Sequence, residues 1–258
     1  MTNFLKLLGK SFTELTRYPG FLIIAWIVLT IALPFIRLFV NEQTFLQGLN
    51  LVILLQVAFV LNVLHRAWGW WGMLRVVASV LLLVWVVQAI VVRSGMPYGK
   101  MHYTAALEPQ LLGIPVIIPV TWLMMLPPAW LVGRLITRKL GGCLLRPIFV
   151  LVSAIAFTGW TFYFDSLMVR YKVLQWTPDG NFYGTPAWNY VFWLFIAALL
   201  TFSLSPTRLP AGPLLLMYAL SWLVPFITLL IFGGLLVPAL VGFILMGGVL
   251  IGAAANSE

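Results

Sequence analysis

Apolar residues in this chain fall in long runs, divided by short segments where Gly, Pro, Asn and single basic residues collect. The runs cover Phe21 to Val40, Phe45 to Leu64, Met73 to Val92, Leu111 to Gly133, Pro147 to Val169, Trp188 to Phe202, Pro213 to Phe232 and Leu235 to Ala255. Each is near the roughly 20 residues that a helix needs to cross a bilayer. The pattern therefore predicts an all-α, polytopic transmembrane helical bundle of about eight spans. Ahead of the first run, Phe4, Leu5, Leu8, Phe12 and Leu15 alternate with Lys6 and Lys10, which predicts an interfacial amphipathic segment over residues 1–18. The first run is too long, and lacks the small-residue cleavage pattern, for a removable signal.

A closed barrel is the other structure that satisfies its backbone in lipid, but its strands are only about 10 residues long and alternate in polarity. Composition agrees with helices: 62% of residues are hydrophobic, 8% are charged, and mean hydropathy is +1.05. A soluble core could not bury that much apolar surface. No repeat or long polar linker interrupts the runs, so residues 1–258 read as one integral-membrane domain, with the bundle over residues 21–255.

The net charge of +9 raises the question of nucleic acid, but the basic residues stand singly at run ends instead of forming a face. Their distribution is topological. With the N-terminus inside, Lys6, Lys10, Arg17, Arg66, Arg75, Arg134, Arg138, Lys139, Arg146 and Arg208 fall on the cytoplasmic side. Arg37, Arg93, Lys100, Arg170 and Lys172 fall outside. That bias predicts both termini in the cytoplasm.

Metal chemistry finds little support. Cys143 is the single cysteine, His65 and His102 are far apart, and no acidic helix repeat is present, so no metal site is expected. Candidate chemistry concentrates in two loops, both assigned to the outer side, where they can meet. One runs from Gly95 through His102 and Glu108-Pro109 to Pro115; the other follows Asp165 and runs from Trp176 through Tyr183 to Pro186, with Asn189 and Trp193 beyond.

Of six acidic residues, Glu42, Glu108, Asp165 and Asp179 lie on or near this face. A carboxylate inside a bundle is unfavourable by about 2.5 to 3.5 kcal/mol on insertion scales, which makes Asp165 the first candidate for a functional group. Its alternative is a rim carboxylate paired with Arg170 or Lys172. Glu108, before Pro109, equally suits the start of a helix, where a negative charge favours the dipole. His102 equally suits an ordinary loop hydrogen bond. Trp160, Tyr163, Trp176, Tyr183, Trp188 and Trp193 fit either a slot for a conjugated ligand or an interfacial aromatic belt. Gly248 and Gly252 form a small-xxx-small pair for helix packing, within the chain or with a partner. Sparse intramembrane charge and the lack of paired broken helices argue against a transporter.

The loops resemble the signatures of the membrane carotenoid biosynthesis proteins that include carotenoid 1,2-hydratases such as bisanhydrobacterioruberin hydratase, from about Gln88 to Trp193. Gly95-Met96-Pro97-Tyr98-Gly99 with Tyr103-Thr104 is similar to that family's Gly-x-Pro-Phe-Gly and following Tyr-Thr. Gly113-Ile114-Pro115 and Pro119-x-x-Trp122 match the next element. Trp160 with Asp165, then Trp176, then Tyr183-Gly184-Thr185-Pro186 with Asn189 and Trp193, is similar to the second signature.

The resemblance implies addition of water across the terminal double bond of an acyclic carotenoid, without a cofactor, in the cell's inner membrane or a photosynthetic membrane derived from it. It assigns Asp165, with Glu108 or His102, to proton delivery. Tyr98, Tyr103, Trp122, Trp160, Trp176, Tyr183, Asn189 and Trp193 are assigned to the substrate and water. Three acidic positions of the family pattern are here Gln88, Ala105 and Thr161, and a Pro is Ser166. Those replacements keep a second class open, a non-catalytic relative that binds carotenoid as pigment within a larger membrane assembly, which is photosynthetic in one version of this reading. The bilayer and a carotenoid are the expected partners, with further membrane proteins or a second copy left open.

Overall fold

A computed structural model describes residues 18–97 and 99–256. The interfacial segment expected over residues 1–18 lies almost wholly outside the described residues, as does Tyr98. Among the described residues, seven helices are long and apolar enough to cross a membrane. They are α1 (Gly20–Phe39), α2 (Glu42–Ser94), α3 (Ile117–Thr137), α4 (Leu145–Arg170), α5 (Ala187–Leu204), α6 (Ala211–Thr228) and α7 (Leu236–Ala255). A π-helical segment, Leu229–Gly233, prolongs α6. The described residues also include four short strands: β1 (Lys100–Tyr103), β2 (Gln110–Leu111), β3 (Ile114–Pro115) and β4 (Leu174–Thr177).

The second and third expected spans are joined in the 53-residue α2. At 1.5 Å per residue a straight helix of that length would measure roughly 80 Å, more than twice a bilayer core. The chain instead reverses at Gly69, whose backbone (φ 71°, ψ −177°) is non-helical and belongs to a region that only glycine enters readily. Both ends of α2 consequently lie at the same end of the bundle. Phe45 packs on Tyr171 with ring centroids 4.7 Å apart. On the other leg, Gln88 accepts a hydrogen bond from Tyr103, whose strand pairs with residues 174–177. The reversal sits at the opposite end, where the Trp68 indole donates to the Thr207 carbonyl at 2.8 Å.

Around α3 the other helices form a shell. In its apolar window 78% of residues are buried, against 22 to 44% for the other helices, which places α3 in the centre. The outer helices turn apolar stripes outward instead: on α1 alone Ile24, Val28 and Ile31 are exposed at helical spacing. A surface like this belongs in hydrocarbon. Several hydroxyls within the helices return to their own carbonyls, as Thr30 does to Trp26 and Thr201 to Ala197, which satisfies these without water.

Basic residues collect at the end that carries the Gly69 reversal. There Arg134 donates to the Pro206 carbonyl and lies over the Phe149 ring at 4.1 Å, and Arg146 donates to the Phe202 carbonyl. The opposite end carries the strands and the loops rich in chemistry. The α3 helix begins at Ile117, later than the apolar run beginning at Leu111 suggests. Residues 110–115 form a two-residue β-hairpin, turned by Leu112 (φ 59°) and Gly113 (φ 76°).

Of the expected glycine pair, a Cβ on Gly248 would meet nothing within 4 Å, while one on Gly252 would press on Ile136 of α3 at 3.3 Å. A Cβ on Gly242 would stand 2.8 Å from the Gly159 carbonyl oxygen, so these two glycines let α4 and α7 approach backbone to backbone.

Replacing Gly69 by Ala should destabilise the protein by about 1–3 kcal/mol, because any side chain there is strained. Gly20→Ala, with open space around it, should be near neutral. Thermal unfolding in detergent compares the two, and equal melting temperatures would contradict the reversal at Gly69. In the same assay Gly242→Leu should be more damaging than Gly248→Leu, since only the first forces α4 and α7 apart.

Candidate active site

The two loops expected to meet do so through backbone. Strands β1 and β4 pair antiparallel in the register Met101 with Trp176, His102 with Gln175 and Tyr103 with Leu174. Side chains alternate across a strand, so Met101 and Tyr103 turn inward while Lys100 and His102 are exposed. The Thr104 hydroxyl fastens the end of this ribbon by donating to the Lys172 carbonyl at 2.9 Å. At the far end of the second loop, the Asn181 side chain accepts from the backbone N–H of Ala187 at 2.9 Å and caps α5. That cap fixes the first turns of α5, and with them Asn189 and Trp193.

Under the ribbon lies a cavity of about 20 Å³, enough for one water molecule. Asp165 stands in its wall with only 8% of its surface exposed. Its partner is an amide: Asn189 Nδ2 donates to Asp165 Oδ2 at 2.6 Å. Arg170 and Lys172 are exposed, so the rim pairing open from sequence gives way to a buried carboxylate held by Asn189. The amide's other atom, Asn189 Oδ1, is buried with no hydrogen-bond partner. An unsatisfied acceptor beside a water-sized space is suited to hold a water.

Tyr103 contributes its hydroxyl to the same cavity and donates to Gln88 Oε1 at 3.2 Å. Burial pushes this phenol well above its ordinary value near 10, and the Asp165 charge pushes it further, so it remains a protonated donor. Thr161 also lines the cavity. Two of the three positions where the family pattern carries an acid, Gln88 and Thr161, thus sit around Asp165, while Ala105 is exposed on the loop.

Aromatic rings form much of the remaining wall. Trp193 meets Trp122 edge to face at 5.5 Å, Trp122 meets Phe157 at 4.3 Å, and Trp160 stacks on Phe164 at 5.0 Å. Rings of this kind can stabilise a nearby cation through their faces. Of the residues expected from sequence, Tyr103, Trp122, Trp160, Asp165, Asn189 and Trp193 converge here. The other described ones lie elsewhere. Glu108 and His102 are exposed, Trp176 is buried on β4 outside the cavity wall, and Tyr183 is a turn residue (φ 48°) with 43% of its surface exposed. Met101, Ile118, Thr121, Phe164, Met168 and Leu174 also line the cavity and are not distinguished in the sequence, because an apolar or hydroxyl residue in an apolar run carries no mark.

A polytopic helical membrane protein with one buried carboxylate in an aromatic chamber is the class these features define. The sequence profile of the carotenoid biosynthesis protein family matches residues 48–249, and the chain belongs to that family. No curated protein and no solved structure matches it. The matched region begins in α2 and ends in α7, so it takes in every element that builds the chamber.

Tyr103→Phe should remove about 1 kcal/mol at neutral pH by breaking the bond to Gln88. The raised phenol also fixes the sign of an alkaline effect. Its contribution is whole below about pH 10, where the unfolded chain would ionise, and declines as pH rises beyond that. Unfolding measured from pH 8 to 12 should therefore show a shallower alkaline decline in the variant than in the wild type.

Proposed function

We propose that this protein hydrates the terminal double bond of an acyclic carotenoid, with Asp165 as proton donor. The observation that supports this reading is the carboxyl group itself, buried among rings and held through one oxygen by Asn189, beside space for a water. An acid kept protonated by an apolar site is what alkene protonation requires. The π electrons of the double bond take the proton from Asp165, forming a C–H bond and a tertiary cation and leaving the carboxylate. Trp122, Trp160 and Trp193 face that cation. A water accepted by Asn189 Oδ1 then bonds to the cationic carbon, and the proton it sheds returns to Asp165. The sum is one water added, with the acid restored.

Asn189 is a positioning residue in this scheme. Its Nδ2 holds the carboxyl group, to which the Trp193 side chain also hydrogen-bonds, and its Oδ1 places the water. Tyr103, whose hydroxyl donates to Gln88, offers a neutral acceptor oxygen at the same space. The loops face the outer side of the membrane in this account, with the arginine-rich end in the cytoplasm.

Carotenoid binding without turnover is the second reading. Gln88 and Thr161 favour it, because they line the chamber at positions where the family pattern is acidic and leave Asp165 without a second carboxyl group.

Expression in a host that accumulates an acyclic carotenoid separates the two. The wild type should give a product heavier by one water, absent from the empty-vector control. Asp165→Asn should reduce it by roughly 10²–10⁴-fold, the usual contribution of a general acid, and Asn189→Leu should reduce turnover while pigment still copurifies. Undiminished product from Asp165→Asn would remove that residue from the chemistry. Unmodified carotenoid copurifying with the wild type, with no hydrated product, would establish the binding reading instead.

A further inference from the structure

A larger cavity, of about 130 Å³, lies beside the acid chamber, between α1, the first leg of α2, α4 and the extended α6. Its walls are almost wholly apolar, and Trp160 and Phe164, the stacked pair of the chamber, also belong to it. One two-ring partition therefore separates the two spaces. Four segments line this groove over nearly the same length: Trp26 to Leu38, Phe45 to Gln56, Trp160 to Tyr171 and Ser221 to Gly233. That is about three turns, or roughly 16 Å at 1.5 Å per residue.

The groove has two different ends. At the loop end it is bounded by Arg37, whose guanidinium lies over Tyr171 at 4.7 Å, and by Phe232, on which Phe35 packs without lining the groove itself. At mid-depth it is closed by polar side chains: Gln56 Nε2 donates to Ser221 Oγ at 2.8 Å, and both residues are buried. A hydrocarbon chain gains nothing by passing that floor, because separating the pair would leave buried polar atoms unsatisfied. The enclosed length is thus about half of a bilayer core of about 30 Å.

We infer that this groove is a half-length chain slot: it holds one half of a long linear polyene whose end passes the Trp160–Phe164 partition to reach Asp165, while the other half stays in lipid. This inference rests on the reading of the chamber as a carotenoid site and adds where the chain lies and how much of it is recognised. It makes the near half the determinant of specificity. A polyene with a different far half, cyclised or shortened, is bound equally well provided that the near end is acyclic. A symmetrical substrate is then processed one end at a time, with release between the two events.

Purified protein in lipid nanodiscs, titrated with linear polyenes and followed by tryptophan quenching, tests this. Binding of a fully acyclic polyene and of one cyclised at a single end should agree within about threefold, whereas a polyene cyclised at both ends should bind at least tenfold more weakly. Leu49→Trp, which fills the groove, should lower affinity at least tenfold, and Asp165→Asn should leave it unchanged. Thr228→Trp reaches the same space from a half-buried site on α6, and should do the same if Leu49→Trp fails to fold. Weak binding of the singly cyclised polyene, or unaltered binding in a folded groove variant, would overturn the half-slot while the chamber reading stood. Failure of every polyene to bind the wild type would overturn both.

Discussion

The hydrogen bond from Asn189 to Asp165 is the contact around which the loop end of this bundle is organised. A carboxyl group so enclosed by lipid-facing helices is unfavourable unless its oxygens are met by donors. Here the donor arrives from α5, and α5 is placed by the Asn181 cap and the turn that closes the second loop. That loop is tied in turn to β1 through β4, and β1 brings Tyr103 over the carboxyl group from the other side. Backbone pairing, helix capping and one amide thus converge on a single acid. A neutral partner also matters for chemistry, since an arginine or lysine in its place would hold the group as a carboxylate and remove its proton.

Much of this organisation was legible in the sequence. The apolar runs located the helices, because a span of lipid demands a long uninterrupted run whatever the neighbouring helices do. The two loops, with Asp165, Asn189 and the tryptophans, carried both the family resemblance and most of the chamber. Other features were not legible for identifiable reasons. A glycine between tryptophans at 68–70 reads as an ordinary loop, and only its backbone angles show that it alone reverses a continuous helix. Strand pairing depends on partners some seventy residues apart, a relation to which periodicity is blind. Glu108 and His102 bear the right chemistry, yet alternation along a short ribbon and the turn beyond it face them to solvent. Gln56 and Ser221 were passed over because each is a neutral residue inside an apolar run, and their meaning arises only from their meeting.

Two spaces, a polar chamber and an apolar groove, share the Trp160–Phe164 stack. The division suits a substrate that is hydrocarbon along its length and reactive at its tip. The side where Asn189 Oδ1 lacks a partner favours a water, and the groove offers one little hydrogen bonding. A cation formed at the tip would therefore meet rings and one positioned water, which limits its other fates to loss of the proton just gained.

The most direct test of this account is to incubate the purified protein with an acyclic carotenoid in water labelled with heavy oxygen and deuterium, and to analyse the product by mass spectrometry. The account predicts a tertiary alcohol whose hydroxyl oxygen carries the heavy label and whose adjacent carbon has gained one deuterium. A carotenoid recovered without either label, or an alcohol whose oxygen is unlabelled, would contradict it.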